Sequence, residues 1–441
     1  MFRRFASAAC AAFAISGLPA SAENPLKSAG PTPSERKALA LIEQLGAADY
    51  REREKAQREL VALGKMARPV MKRAAATTEN PEIERRLEVM IAKLERDELL
   101  QPQVVSFQGT KTISDLLRTI GGATGYMIDG GPSDEKQKLT VNWKNTPFWE
   151  ALDEVCIASG MSTQIYDNGS GTIPVTVYPN DTFDPHISHA GPFRFLATNI
   201  TLSRSVQLSG LPRKGLPVQQ QNSLNLNVML FSEPKNPMLG SQPAVVTKAV
   251  DDTGTSLVST DEAAQRTSYY QSPSYRANNQ YLSLNLSKPG RDATVIKELR
   301  GKVQVTLLAS TRPEVTVEKL LGVKKKTFVS RTTELFIESV SEPTAAGFSV
   351  TLTAKHLQPT NDDYAWANSV YQRLEVTDAD GEKYTPNGIA NQNQGTGSAS
   401  MTVTFSPPTG KKIGQPSKLV LLEWVTLPRE VEFSFKNVPL P

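Results

Sequence analysis

The residues best suited to chemistry are few, and the densest group of them lies in a short polar stretch. Asp184, His186 and His189 are potential metal ligands that fall within six residues, and zinc is commonly bound by such side chains. A metal site also needs a fourth ligand and fixed geometry, whereas this stretch contains Pro185 and lacks a cysteine. We therefore predict a linker over residues 180–190, with no metal site and no cofactor.

Nucleophilic catalysis requires a serine or cysteine next to a base, which is usually a histidine. The third histidine, His356, lies in a predicted strand over Ser349–His356, and no Gly-x-Ser-x-Gly motif occurs. Cys156 lies in the apolar helical segment Ala151–Ile157, which is typical of a small buried core residue. We predict no catalytic residue and no enzyme activity.

Carboxylates leave one enzymatic alternative open. Asp378-Ala379-Asp380-Gly381 begins like a calcium loop, but predicted strands flank it, so a turn is the better interpretation. The chain contains 45 acidic residues, and two of them can meet in three dimensions as a catalytic pair. A hydrolase with dispersed carboxylates is therefore an alternative function.

The most suggestive binding residues combine carboxylates with aromatic rings. Asp362 and Asp363 precede Tyr364 and Trp366, and Tyr371 follows; this combination is typical of a sugar or peptide site. We predict a loop here, with Asp363, Tyr364, Trp366 and Tyr371 as candidate ligand-binding residues. They would suit a carbohydrate- or peptidoglycan-binding protein, a second alternative function. The other interpretation of these residues is a loop that packs on the domain beneath it.

The N-terminus has the features of a signal peptide over residues 1–22. Two arginines precede an apolar stretch that ends at Leu18, and small residues at Ala20 and Ala22 suit cleavage before Glu23. The stretch is shorter than the roughly 20 residues that a membrane-spanning helix needs. We expect export across the inner membrane to the periplasm or the extracellular space, with no transmembrane segment after cleavage.

Charge and cysteine content narrow the class of protein further. The formal net charge is +4 over 441 residues, and it falls to +2 once the two arginines of the signal peptide are removed. A nearly neutral chain without a dense basic face gives no reason to expect nucleic acid as a partner. Cleavage also removes Cys10, so Cys156 remains alone and no internal disulfide can form.

Residues 23–31 are rich in proline, serine and glycine and predict a flexible leader. Short helices separated by glycine and proline follow over residues 32–99, and Thr32 with Glu35 predicts a capping box at the first of them. The most regular part reads Arg51-Glu52-Arg53-Glu54-Lys55-Ala56-Gln57-Arg58-Glu59-Leu60-Val61-Ala62-Leu63-Gly64, then Pro69-Val70-Met71. This part, within Tyr50–Leu94, resembles a HEAT-like helical repeat. About one and a half repeats are present, so the resemblance implies a small helical adaptor.

Residues 103–179 alternate between strand and helix signals in the order strand, helix, strand, strand, helix, strand, strand. The distinctive segments are Thr112-Ile113-Ser114-Asp115-Leu116-Leu117 with Gly125, Asn145-Thr146-Pro147-Phe148-Trp149-Glu150-Ala151-Leu152-Asp153, and Gly160-Met161. They resemble the short N-terminal domain of secretins and TonB-dependent receptors. That resemblance implies a small α/β module that contacts protein partners in the bacterial periplasm.

Two β-rich segments, 190–317 and 318–441, repeat the same signals in the same order. Each has an aspartate–glycine turn, at Asp251–Gly254 and at Asp378–Gly381, followed by alternating strands. The strands are Tyr281–Leu286, Lys302–Leu307 and Arg312–Val317 in the first copy, and Met401–Phe405, Lys418–Leu422 and Pro428–Phe433 in the second. Each copy resembles an immunoglobulin-like module in architecture, which implies a β-sandwich.

These patterns predict a multidomain fold with a short α-helical (HEAT-like) N-terminal unit, a small α+β module and two antiparallel β-sandwich domains. The leading function is an exported, non-enzymatic protein-interaction or envelope scaffold that makes contacts through the α/β module and the sandwich loops. Loops are predicted at Thr260–Gln280 and Pro386–Ser398, where binding function is usually placed. The expected partner is a protein or a cell-envelope component, and the sequence leaves the oligomeric state open.

Overall fold

The computed structural model describes residues 32–165, 174–180, 186–206, 220–259, 275–358, 363–408, 410 and 412–441. The predicted signal peptide, the predicted leader and most of the predicted loop Thr260–Gln280 lie outside these residues. The chain divides into two compact units, 1–94 and 95–441. A small helical N-terminal region precedes several mostly antiparallel sheets, which confirms the predicted composition of the fold and is compatible with β-sandwich domains.

No helix in the described part of the chain combines the length and the apolar character that crossing a bilayer requires.

The N-terminal region consists of helices, and the first two begin at side-chain caps. Thr32 accepts a hydrogen bond from the Glu35 N–H at 3.2 Å, and the Glu35 carboxylate accepts one from the Thr32 N–H at 2.8 Å, which is the predicted capping box. Asp49 caps the second helix by accepting the Arg51 N–H at 2.8 Å. The helices are α1 (Pro33–Gln44), α2 (Tyr50–Leu63), α3 (Arg68–Thr77) and α4 (Pro81–Leu100).

Strands and helices then occur in the order that the sequence predicts for the α/β region, 104–179. They are β1 (Val104–Thr112), α5 (Ile113–Thr124), β2 (Ile128–Gly130), β3 (Lys138–Pro147), α6 (Phe148–Ala158), β4 (Met161–Ile165) and β5 (Val175–Pro179). Strands β1 and β3 form one antiparallel sheet; β5 pairs parallel to β2 and antiparallel to β4 in another. Gly130, at φ 91°, lies so close to β5 that a Cβ atom would be 2.0 Å from the Val177 carbonyl oxygen, so only glycine fits.

Within the described residues, the β-rich part forms three larger sheets.

Sheet I comprises β6 (His186–Ala190), β7 (Phe193–Val206), β8 (Gln220–Ser232) and β11 (Asn279–Leu286), in the order β11-β8-β7-β6. Sheet II comprises β9 (Met238–Ser241), β10 (Val245–Asp251), β12 (Val295–Glu318), β16 (Leu374–Thr377) and β19 (Lys418–Pro439), in the order β10-β12-β19-β16 with β9 also paired to β12. Sheet III comprises β13 (Lys326–Val329), β14 (Thr333–Val340), β15 (Phe348–His356), β17 (Thr385–Gly395) and β18 (Ser398–Ser406), in the order β13-β14-β15-β18-β17.

Three sequence-based predictions were wrong about local structure. Residues 186–190, predicted as part of a linker, form β6, and most of the predicted loop Pro386–Ser398 is the edge strand β17. A strand needs main-chain partners, which β7 and β18 supply here, so polar side chains do not prevent it. The predicted loop at Asp362–Trp366 is also helical from Asp363 onwards, because α7 (Asp363–Ser369) begins there, whereas Asp362 lies outside the described residues.

Two long strands run through two hydrophobic cores of the β-rich part. β12 has 24 residues and β19 has 22, and they pair with each other from Val295–Pro439 to Glu318–Lys418. The segments predicted as separate strands, Arg312–Val317 and Pro428–Phe433, are therefore continuations of these two. Bulges after Leu308 and Pro313 bend the pair without ending it.

Each half of each long strand contributes to a different core. The first β core lies between sheet I and the half of sheet II that contains the N-terminal part of β12 and the C-terminal part of β19. The second β core lies between sheet III and the other half of sheet II, with α7 packed into it. The contributions of the long strands to the first core are Ile296, Leu299, Val303, Val305, Leu307, Val431, Phe433, Phe435 and Val438; those to the second are Val315, Val317, Leu419 and Leu421.

The turn after β10 is organised by one buried aspartate. Asp251 Oδ1 accepts the N–H groups of Thr253 at 3.0 Å and Thr255 at 2.8 Å, and its Oδ2 accepts the N–H of Gly290 at 2.8 Å. Gly254 takes the positive φ angle of 85° that closes the turn. The carboxylate thus joins two loops of the first β core.

The turn after β16 repeats this arrangement atom for atom. Asp378 Oδ1 accepts the N–H groups of Asp380 at 3.0 Å and Glu382 at 2.9 Å, and its Oδ2 accepts the N–H of Gly414 at 2.8 Å. Gly381 has a φ angle of 87°. These main-chain donors lower the pKa of Asp378, the Gly414 N–H most of all. The motif that begins like a calcium loop is a structural turn.

Candidate functional site: a polar junction around Asp153 and Glu233

A buried ion pair joins the α/β region to the first β core. Asp153 on α6 and Arg194 on β7 are 3% and 2% exposed. The Arg194 Nη2 lies 2.7 Å from Asp153 Oδ1, its Nε donates to Oδ2 at 2.8 Å, and its Nη1 donates to Thr163 Oγ1 at 3.1 Å. The His189 Nε2 lies 2.7 Å from the same Oδ2. Four side chains from α6, β4, β6 and β7 therefore share one largely buried polar network.

Aromatic rings surround this ion pair. The Arg194 guanidinium lies 5.7 Å from the Trp149 ring centroid and 5.2 Å from that of Phe231, which adds a cation–π contribution. The Trp149 indole N–H donates to the Pro192 carbonyl at 3.2 Å. Leu196 and Phe231 of sheet I belong to the same hydrophobic cluster as α5 and α6. The α/β region is thus packed against sheet I.

A second buried carboxylate, Glu233, lies in the turn after β8. Its side chain is completely buried, and its two oxygens accept the Gln103 N–H at 3.0 and 3.1 Å. The Tyr126 hydroxyl donates to Oε2 at 2.7 Å, and the Lys235 Nζ lies 4.0 Å from the same oxygen. Burial outweighs these partners and raises the pKa of Glu233 to about 7.

The same turn also holds the end of helix α4. The Lys235 Nζ donates to the carbonyls of Glu98 at 3.2 Å and Gln101 at 2.5 Å, and the Asn236 side-chain amide donates to the Leu99 carbonyl. The last carbonyls of a helix lack partners within the helix, and a cation there also suits the helix dipole. We call residues 232–237 the junction turn, because they hold the end of α4, the start of β1 and Tyr126 together.

Two cavities follow the line where β6 faces β19. One of about 510 Å³ lies beside His189 and is lined by Arg300, Lys302 and Lys436 together with Glu298 and Glu432. The other, of about 350 Å³, lies next to it around Ala190–Phe193 and Arg429–Glu432. Both signs of charge line the larger cavity, so charge alone selects no class of ligand.

The predicted aromatic site is divided between the core and the surface. Trp366 packs against the second β core, and its ring stacks on His356 with centroids 5.3 Å apart and planes at 15°. Tyr371 also packs against this core, and burial raises its pKa. Tyr364 is 58% exposed, and Asp363 begins α7, but its side chain lies outside the described residues. Two of the aromatic rings are thus brought to the core rather than to a shared open face.

Arg373 is a neighbour of this cluster that the sequence did not predict. Its guanidinium lies 4.7 Å from the Trp424 ring centroid and 5.9 Å from that of Trp366. Burial lowers its pKa to about 10, against the opposing effect of Glu314 and Glu423. The sequence gave little indication that Arg373 contacts this cluster, because Arg373 and Trp424 are distant along the chain.

The two histidines of the predicted linker both lie in β6, where His186 pairs with Ala197 of β7. His189 is bonded to Asp153, and Asp184 lies outside the described residues. In the ranges that the structure describes, no group of three or more His, Cys, Asp or Glu side chains is placed to hold a metal ion. Cys156 is buried in the α/β region, and burial raises its pKa to about 12.

Comparisons of the chain with protein-family models, with curated proteins and with solved structures found no match.

The Trp366 contacts lead to a prediction about stability. Replacing Trp366 by alanine is expected to cost about 3 kcal/mol in the free energy of unfolding, because a large side chain leaves a cavity against the core. Denaturant unfolding measures this, with the exposed Tyr364→Ala as the matched control, expected to change by less than about 0.5 kcal/mol. Glycan binding that is abolished by Trp366→Ala at unchanged stability would contradict the packing role and favour a carbohydrate site.

Proposed function

We propose that this protein is an exported, non-enzymatic protein-interaction or envelope scaffold. The observation that carries the proposal is the junction, where two buried carboxylates, Asp153 and Glu233, bind the α/β region to the first β core. These carboxylates and those of Asp251 and Asp378 are all engaged by internal donors, so their role is to hold elements together. Because the α/β region is held against the first β core in this way, the outer surfaces of both keep fixed relative positions, which a scaffold requires.

The proposal also assigns each region of the chain to a type of domain. We assign the helical region as a HEAT-like adaptor and the α/β region as a module similar to the short N-terminal domain of secretins and TonB-dependent receptors. The repeated aspartate turns at Asp251 and Asp378, and the two cores to which different halves of β12 and β19 contribute, support two immunoglobulin-like β-sandwiches derived by duplication. The signal-peptide pattern of residues 1–22 supports the periplasm or the extracellular space as the location.

Exposed apolar side chains indicate where a partner would bind. Met127 and Ile157 on the α/β region are 56% and 55% exposed, and Tyr281 on β11 is 62% exposed. Contact surfaces are commonly rich in exposed apolar side chains when these form a continuous patch. We assign Met127 and Ile157 to the partner surface of the α/β region, since the resemblance of that region implies contact with proteins.

The scaffold function is tested by crosslinking in cells followed by purification of the complexes. The full chain is expected to capture a defined protein or envelope component, and Met127→Asp with Ile157→Asp is expected to lower its yield about tenfold or more. Val329→Asp is the matched control, since Val329 is 64% exposed and lies in β13 of sheet III. A chain that stays without any partner under all crosslinking conditions would contradict the proposal.

A further inference from the structure

We infer that the open end of the outer face of sheet I binds a neutral polysaccharide. We call this end the amide face, and its side chains are Asn199, Thr201 and Ser203 of β7, Ser223, Asn225 and Asn227 of β8, and Tyr281, Ser283 and Asn285 of β11. The site is additional to the protein-contact surface at Met127 and Ile157 of the α/β region, and it does not depend on the scaffold function.

Strand register brings the members of the amide face together. Leu226 and Val228 belong to the first β core, and successive side chains of a strand point to opposite sides of the sheet. Asn225 and Asn227 therefore face away from that core. The pairing of the three strands aligns two rows, Asn199–Asn227–Ser283 and Thr201–Asn225–Asn285. Because neighbouring strands are about 4.8 Å apart, each row presents several polar groups to an extended chain that lies across the strands.

The α/β region covers the other end of this outer face. Leu196 and Phe231 of sheet I are buried in one hydrophobic cluster with α5 and α6, and Met229 packs against that cluster. Met229 lies opposite Tyr281 in the sheet, so Tyr281 lies where the covered end meets the open end. Its side chain is 62% exposed. An exposed aromatic ring beside polar groups suits the apolar side of a sugar ring, which stacks on it.

None of the side chains that form the amide face is charged. The outer face of sheet II differs, because Lys302 pairs there with Glu430 at 3.0 Å and Arg300 with Glu298 at 2.7 Å. A charged polymer would find no opposite charge on the amide face to compensate the loss of its water, whereas a neutral polymer needs none. The absence of charge therefore favours a neutral polysaccharide over an acidic one.

The amide groups match hydroxyl groups, which both donate and accept hydrogen bonds. The Asn227 Nδ2 donates to the Asn199 Oδ1 at 3.0 Å, and each amide has further donor and acceptor capacity for a ligand. The Asn225 Oδ1 is shielded from water and has no hydrogen-bond partner in the described part of the chain. A polar atom buried in this way is unfavourable, and a sugar hydroxyl that donates to it removes that cost.

Binding of the full chain to immobilised amylose, laminarin, galactomannan and dextran tests the amide face. Dextran sulfate is the charged counterpart of dextran. The chain is expected to bind at least one of the neutral polymers with the same affinity at low and at high salt, because no ion pair contributes. No binding to any neutral polymer, or binding confined to dextran sulfate and lost at high salt, would overturn the inference.

Variants of the two exposed tyrosines locate the site. Tyr281→Ala is expected to weaken binding to the neutral polymer about tenfold, because the sugar loses the ring on which it stacks, and Tyr281→Phe is expected to retain most of the affinity. Tyr364→Ala is the matched control, since Tyr364 is 58% exposed and lies in α7. Equal affinity of Tyr281→Ala and the natural chain, or loss of binding in Tyr364→Ala instead, would contradict the amide face.

A second position covers the case in which Tyr281→Ala does not fold. Asn227→Asp keeps the shape of the side chain but places a charge in the middle of the amide face, and it is expected to weaken binding about tenfold as well. Unchanged binding in this variant would also overturn the inference. The yield of crosslinked protein partners is expected to stay the same in Tyr281→Ala and Asn227→Asp, so the failure of either proposal leaves the other standing.

Discussion

Removal of Pro428–Pro441 is expected to unfold the first β core, although that core is built mainly from residues 186–307. The deleted segment is the half of β19 that pairs with Val295–Thr306 and buries Val431, Phe433, Phe435 and Val438. Each such side chain contributes about 1.5–3 kcal/mol when buried. Four of them together match the ~5–15 kcal/mol that keeps a domain folded.

Hydrogen exchange resolved by segment distinguishes the two cores after this deletion. Amides of β7 and β8 are expected to lose protection, whereas those of β15 and β18 in the second core are expected to retain most of theirs. A synthetic peptide of residues 428–441, added in trans, is expected to restore protection because it supplies the missing strand. The control is Glu432→Ala, which alters an exposed side chain of the same segment. Full protection of β7 and β8 without the segment would contradict its role in the core.

Replacing Arg194 by methionine is expected to destabilise the protein by about 3–5 kcal/mol, because Asp153 is left buried without its main cation. The double variant Arg194→Met with Asp153→Leu is expected to recover most of that loss, since it removes the orphaned charge as well. Denaturant unfolding of the single and double variants measures both effects.

A surface arginine provides the control for this prediction. Arg300 pairs with Glu298 at 2.7 Å with its side chain 61% exposed, and its replacement by methionine is expected to cost less than about 1 kcal/mol. Equal losses for Arg194→Met and Arg300→Met would show that the junction ion pair does not hold the α/β region in place.

Hydrogen bonds between residues close together in the sequence could be predicted, whereas the pairing of strands far apart in the sequence could not. The capping box at Thr32 and the turn at Asp378 follow from side chains that bond to nearby main-chain groups. The strand β17 was missed because its partner β18, and not its own polar side chains, makes it a strand. The continuity of β12 was missed because its register is fixed by β19, more than 100 residues away.

The junction had a visible but incomplete signal in the sequence. Arg194 stands between Phe193 and Phe195, and Asp153 stands in an apolar helix; a charge in such a position has to be paired when buried. The sequence did not show which residue pairs with each charge. Arg194 and Asp153 are 41 residues apart in the chain, and Glu233 and Gln103 are 130 residues apart. Packing of the folded chain decides these pairs.

The sharing of β12 and β19 between the two cores also affects the order in which they can fold. Val431–Val438, which close the first β core, follow every residue of the second β core along the chain. Contacts between residues far apart in the chain form slowly, because the intervening loop has to be closed first. The first β core is therefore expected to complete its fold after the second, although most of its residues come earlier in the sequence.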